Sequence, residues 1–107
     1  MTPSTIISEC AREFFVEPSE VTGRRREPDV CDARHIAMWI LYRVLHMTTG
    51  RVATYFKRDR SMVCHASQRV EYLSETDPRF RRAIKRIRDR LGVTVDDVGD
   101  VAGMTTG

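Results

Sequence analysis

An all-α fold is what this sequence predicts, and three observations predict it. Apolar residues recur at three- and four-residue spacings through successive stretches, and each stretch is bounded by proline, glycine, threonine or aspartate residues suited to start or stop a helix. No run shows the period-of-two alternation that a half-buried strand requires. At 107 residues with 41% hydrophobic content, the chain has the size of one small domain whose core must use most of its apolar side chains. A helical domain is expected over residues 4–92, followed by an acidic tail over 93–107 that holds Asp96, Asp97 and Asp100 and no basic residue.

The first helix is predicted over Ser4 to Val16, with Ile6, Ile7, Cys10, Ala11, Phe14 and Phe15 on one wide stripe and Glu9, Arg12 and Glu13 away from it. Pro18 opens a short turn or helix through Val21, and Gly23 ends it. The charged run Arg24-Arg25-Arg26-Glu27-Pro28-Asp29 reads as a loop. A central helix then begins near Asp32 or Ala33, carries Ile36, Ala37, Ile40, Leu41, Val44 and Leu45, and stops near His46. Thr48, Thr49 and Gly50 form a break before a helix of about two turns that ends at Phe56 and buries Val52, Ala53 and Phe56. Lys57 to Asp59 make a charged turn, and the Asp59 side chain is positioned to cap a fourth helix from Arg60 to about Ser74. That helix turns Val63, Ala66, Val70 and Leu73 inward and Ser61, His65, Gln68 and Tyr72 outward. Asp77-Pro78 supplies a cap and a first-turn proline for the last helix, whose stripe of Phe80, Ile84, Ile87 and Leu91 ends at Gly92.

Charge is distributed unevenly. The net charge is only +3, but Arg34 to Arg90 contains fourteen basic and five acidic residues, so the middle of the chain is cationic. No apolar run approaches the roughly 18 residues of a membrane span, and the Met1-Thr2-Pro3 start lacks the pattern of a signal peptide. A cytoplasmic, nucleoid-associated protein is therefore expected, with no membrane partner. Cys10, Cys31 and Cys64 are odd in number and widely spaced, as free thiols are.

No set of residues points to catalysis, so a non-enzyme is expected. Cys64 and His65 are adjacent on a helix and diverge by about 100 degrees, which does not make a nucleophile and its base. Cys31 and His35 have i,i+4 spacing, and Cys64 or His65 would have to complete a zinc site; the close paired spacings of a zinc finger are lacking, and no metal or other cofactor is expected. There is no Gly-x-x-x-x-Gly-Lys-Ser/Thr loop for a nucleotide.

The unit with functional content is the short helix Thr49 to Phe56, the turn Lys57 to Asp59 and the longer helix from Arg60, which has the spacing of a helix-turn-helix. In that geometry the start and outward face of the second helix meet base edges in the major groove, which nominates Arg60, Ser61, Met62 and His65. Arg60 can donate twice to guanine, Met62 can meet a thymine methyl, and the first-turn amides suit a phosphate. The candidate phosphate contacts are Arg24, Arg25, Arg26, Thr49, Arg51, Lys57, Arg58 and Arg69. The basic side of the last helix can also flank the backbone, or simply be solvated.

The segment Arg58-Asp59-Arg60-Ser61-Met62-Val63-Cys64-His65-Ala66 resembles the signature of the DNA-binding C-terminal domain of the bacterial replication initiator DnaA, in which Arg-Asp-His-Thr-Thr is followed by a hydrophobic pair and His-Ala. Arg34, Ala37 and Met38 resemble the start of that family's long central helix, and Val52 to Phe56 its first helix-turn-helix element. The resemblance runs from about Ile7 to Leu91 and implies a Trp-repressor-like helical fold that binds double-stranded DNA. Arg60, Ser61 and Met62 stand at the family's His-Thr-Thr positions, which implies an altered base preference. The family's minor-groove arginine falls near Pro28, among Glu27, Asp29 and Asp32; either Arg24, Arg25 and Arg26 take over by another loop path or minor-groove reading is lost. At 107 residues the chain is expected to lack the family's separate ATPase domain.

The expected function is thus sequence-specific binding of double-stranded DNA, in the regulation of transcription or replication and without ATPase activity. A homodimer or a regulatory protein partner is compatible with it. The rival is a protein-interaction adaptor on the same scaffold with nonspecific DNA affinity, for which Trp39 and Tyr42 would supply an aromatic contact unless Trp39 completes the core.

Overall fold

The computed structural model describes residues 2–92, and the acidic tail expected over 93–107 lies outside them. Six α-helices follow in order: α1 (Pro3–Glu13), α2 (Pro18–Val21), α3 (Pro28–Trp39), α4 (Thr49–Phe56), α5 (Arg60–Thr76) and α6 (Pro78–Leu91). A π-helical segment, Ile40–Val44, continues α3. There is no strand among the described residues.

Helix α3 is the axis of the packing. It lies most extensively against α5 and α1, while α4 packs on α5 and α6 closes against α1 and α5. Ile6, Cys10, Ile36, Met38, Ile40, Leu41, Val52, Phe56, Val63, Val70 and Ile87 are all fully buried in one core. Trp39 is buried too and completes the core, with its indole N–H donating to Glu71 at 3.3 Å. The three cysteines are free thiols, and burial pushes the Cys10 thiol up, which makes it inert.

Local chemistry sets the boundaries. Thr2 caps α1, Thr48 caps α4 and Asp77 caps α6, each through a side-chain oxygen that accepts from first-turn amides. Gly92 ends α6 in the left-handed region at φ 79°, as the sequence predicts.

Four expectations are corrected. Helix α1 ends at Glu13, and Phe15 leaves the apolar stripe: it sits at φ 58° and is 95% exposed, while Phe14 and Val16 pack on the core instead. Glu13, placed outward, is almost covered by ion pairs to Arg86 and Arg90. Helix α3 begins at Pro28 rather than near Asp32, because proline at a first helical position gives up no intrahelical bond and its φ is already helical; Val30 then becomes a core residue. The Asp59 side chain makes no cap bond to α5; only its carbonyl accepts, from Met62 N–H at 3.0 Å.

Candidate nucleic-acid interface

Helices α4 and α5 form the two-helix unit, joined by the turn 57–59. The inner faces, Val52, Ala53 and Phe56 on one helix and Val63, Ala66 and Val70 on the other, all belong to the core. That burial fixes the pair on the scaffold and leaves the opposite face of α5 to solvent. Arg60, Ser61 and His65 are exposed there, followed along the helix by Gln68 and Tyr72. Met62 is half-buried and packs against the core edge. The Arg60 stem leans over the start of α4: a Cβ built on Gly50 would stand 3.5 Å from its Cδ. The sequence-derived base-reading set therefore falls on one end of one helix, with Met62 the least accessible member.

The turn is held in place by two arginines that sequence reasoning treated differently. Arg58, a predicted phosphate contact, donates to the Phe56 carbonyl at 3.0 Å and to the Gly23 carbonyl at 2.8 Å. Arg34, only 3% exposed, donates to the carbonyls of Val21, Glu20, Gly23 and Arg25 at 2.7, 3.1, 3.1 and 2.9 Å. Both grip the Gly23 carbonyl, so the 20–25 segment is clamped to α3 and to the helix-turn-helix turn at once. Burial lowers the Arg34 pKa, with Arg58 adding to it, yet the carbonyl cage accepts four bonds from its charged head. The signal for Arg34 was present in the sequence: it lies among Val30, Ala33 and Ala37 on the inner side of a helix, where a cation demands acceptors.

The remaining phosphate candidates divide into two groups. Arg24 and Arg26 on the loop, Arg51 on α4 and Lys57 in the turn are exposed, and their side chains have no ion pair among the described residues. Thr49 is half-buried at the first position of α4. Arg25, by contrast, binds Glu27 at 2.8 Å and reaches Glu20 at 3.5 Å. Arg69 is occupied further still: it donates to Asp32 at 2.9 Å, meets His35 Nδ1 at 3.0 Å and lies over the Phe80 ring at 5.9 Å. An arginine can only donate, so His35 Nδ1 accepts and the neutral imidazole carries its proton on Nε2. Burial, then Arg69 and Arg34, push His35 down to about 4, and burial raises Asp32 against the pull of Arg69. Arg69 thus ties α5 to α3 and α6. On α6, Arg86 and Arg90 are paired with Glu9 and Glu13 of α1, and Arg81 donates to the Ser74 carbonyl.

Among the described residues no three His, Cys, Asp or Glu side chains gather as metal ligands, and no helix is long and apolar enough to cross a membrane.

Residues 3–70 match the family described as bacterial DnaA protein helix-turn-helix. The chain belongs to this family. Individual relatives are distant. It is 29% identical over 94 residues to the chromosomal replication initiator protein DnaA of Nautilia profundicola, covering 87% of this chain and 22% of that one. Against the DnaA of a Synechococcus strain it is 24% identical over 97 residues, 90% of this chain and 21% of the relative. Against that of Thermus thermophilus it is 28% identical over 88 residues, 81% and 20%. The chain spans about a fifth of the length of these curated relatives. Membership of the DnaA helix-turn-helix family supports DNA binding.

Proposed function

We propose that this DnaA-family domain binds a specific double-stranded DNA site, with the start of α5 in the major groove, and acts in regulating transcription or replication without hydrolysing ATP. The observation that carries it is the placement of Arg60 and Ser61: exposed, at the start of α5, on the side away from the core, and flanked by Arg51 and Lys57, which have no ion pair among the described residues. Arg60 has the fork geometry to donate twice to a guanine edge, and Ser61 can bond a base or a phosphate. His65, one turn further along the exposed face, extends the reading surface by about 6 Å. Arg51 and Lys57 then fix the register through phosphates.

The adaptor reading requires a continuous apolar patch. The exposed large hydrophobics of the described residues are Phe15 in the turn after α1, Tyr55 on α4 and Tyr72 on α5. That dispersion favours DNA as the ligand.

The test is selection from a randomised duplex pool at about 150 mM salt, the range in which phosphate contacts are already weakened. A common enriched sequence is the expected result. Binding without enrichment that vanishes as salt rises would refute sequence reading.

A further inference from the structure

Of the three glycines among the described residues, two are explained by their own backbone. Gly92 sits in the left-handed region at φ 79°, and a Cβ on Gly23 would stand 2.9 Å from the Ser19 carbonyl oxygen, closer than real Cβ atoms come. Gly50 has neither reason. Its φ lies outside the left-handed region and it occupies the second position of α4, although glycine is the poorest helix former after proline. The turn around it is firmly built: Thr48 Oγ1 accepts from Arg51 N–H at 3.2 Å, the Thr48 carbonyl from Val52 N–H at 3.0 Å, and the Gly50 carbonyl from the Thr54 hydroxyl at 2.9 Å. What a Cβ at position 50 would meet is one side chain, the stem of Arg60, with Cδ at 3.5 Å and Cγ at 3.9 Å.

Arg60 opens α5, is exposed, and its side chain makes no hydrogen bond or ion pair among the described residues. The direction of its guanidinium is therefore set from the other end, by the floor across which the stem runs, and that floor is Gly50. At 3.5 Å a methyl group on position 50 is an ordinary van der Waals neighbour that leaves the stem where it is. A β-branched side chain adds two γ atoms about 1.5 Å further out, and its stiff χ1 limits how far they can turn aside. The stem then has to lift, and the guanidinium at its far end moves with it. Two parallel N–H donors reading a guanine edge tolerate a misplacement of only about 0.5 Å.

We propose that Gly50 is a specificity-determining position: by carrying no side chain it lets the Arg60 stem lie across the first turn of α4, and so sets which base edge the guanidinium reaches. It is a positioning residue that acts through Arg60. This rests on the DNA-binding reading above and adds to it a residue from the first helix of the pair. Close approach of a phosphate to the bare backbone of α4 is the other use for a glycine here. That role changes affinity for every sequence alike, whereas a role through Arg60 changes which sequence is preferred.

The experiment uses the full chain and its Gly50→Ala, Gly50→Val, Arg60→Ala and Gly50→Val/Arg60→Ala variants. Each is put through selection from a randomised duplex pool at one salt concentration, and its affinity for the wild-type site is measured. Alanine and valine are no worse than glycine in a helix, so the position-50 variants are expected to melt cooperatively by circular dichroism. In the DNA-free wild type, NMR is expected to show a nuclear Overhauser contact between the Arg60 δ protons and the Gly50 α protons; its absence overturns the proposal even where Gly50→Val fails to fold. Gly50→Ala is expected to recover the wild-type site. Gly50→Val flattens the preference at the same base pair as Arg60→Ala and weakens the wild-type site about tenfold, the loss of one good base contact. In the Arg60→Ala background the same valine costs less than about twofold, because the group it acts through is gone. An unchanged site in Gly50→Val, or an equal loss of affinity with and without Arg60, overturns the proposal, and the DNA reading stands as long as Arg60→Ala still shifts the site. If Arg60→Ala recovers the wild-type site, or the wild type recovers none, the DNA reading itself fails and takes the proposal with it.

Discussion

Replacing Arg34 by methionine is expected to unfold the region that positions the recognition helix. The substitution keeps the length and apolar stem of the side chain and removes a guanidinium that donates four hydrogen bonds of 2.7 to 3.1 Å to the carbonyls of residues 20, 21, 23 and 25. Hydrogen bonds from a charged group contribute about 1.5 to 3 kcal/mol each. Their full sum is not lost, because Gly23 and Arg25 lie in a partly exposed loop where water replaces the donor, whereas Val21 is fully buried. A loss of about 3 to 5 kcal/mol follows, close to that of breaking other buried charged networks. Against a total stability of about 5 to 15 kcal/mol for a domain, this lowers the melting temperature by on the order of 20 °C. Urea titration followed by far-UV circular dichroism measures it. A loss below about 1 kcal/mol with an unchanged m-value would refute the reasoning, since the carbonyl cage would then be satisfied without Arg34. Arg34→Lys should fall between, because one ammonium cannot serve four carbonyls spread around a planar fork.

Lys57→Gly relieves a left-handed backbone and is expected to raise stability by about 1 kcal/mol in the same urea assay while weakening phosphate binding; a destabilised variant would contradict the strain argument. His35 stays neutral in the fold down to about 4, but the unfolded chain takes up its proton below about pH 6.5. The unfolded state then binds the extra proton, so stability should fall as pH drops from about 6.5 towards 4, at no more than about 1.4 kcal/mol per pH unit and less after solvent screening. Asp32, raised by burial, works in the opposite sense at the acid end; His35→Gln keeps an acceptor for Arg69 and should flatten only the histidine part when urea unfolding is compared at pH 5 and pH 7. Phe56→Ala opens the core beneath the two-helix unit and is expected to lose about 3 to 5 kcal/mol by thermal melting.

The helices were legible in the sequence wherever apolar periodicity and a cap agreed. Asp77-Pro78 before the stripe of α6 and Gly92 after it specify both ends of that helix without help from the rest of the chain. Phe15 and Pro28 misled for opposite reasons. Periodicity alone extends α1 through Phe15, but the chain must turn back to bury Val16 and Val21, and a left-handed residue makes that turn. Composition alone makes Pro28 part of a loop, although the same proline is a sound first residue for α3. At the interface, spacing located Arg60, Ser61 and His65 on an exposed face, because the inward positions of α5 are fixed by its own apolar stripe. It could not separate exposed cations from occupied ones. Arg58 and Arg69 look like any other basic residues in sequence; Asp32 and His35 are brought to Arg69 by the packing of α3 against α5, and the Gly23 carbonyl is held at Arg58 by the loop that Arg34 clamps to α3.

The central claim is that Arg60 reads a base whereas its cationic neighbours only hold phosphates. The most direct measurement is selection from a randomised duplex pool with wild type, Arg60→Ala and Arg51→Ala at one salt concentration. Arg60→Ala is expected to flatten the preference at one base pair at a cost of about 1 to 3 kcal/mol, whereas Arg51→Ala weakens binding uniformly and leaves the recovered site unchanged. An identical recovered site for wild type and Arg60→Ala would contradict it.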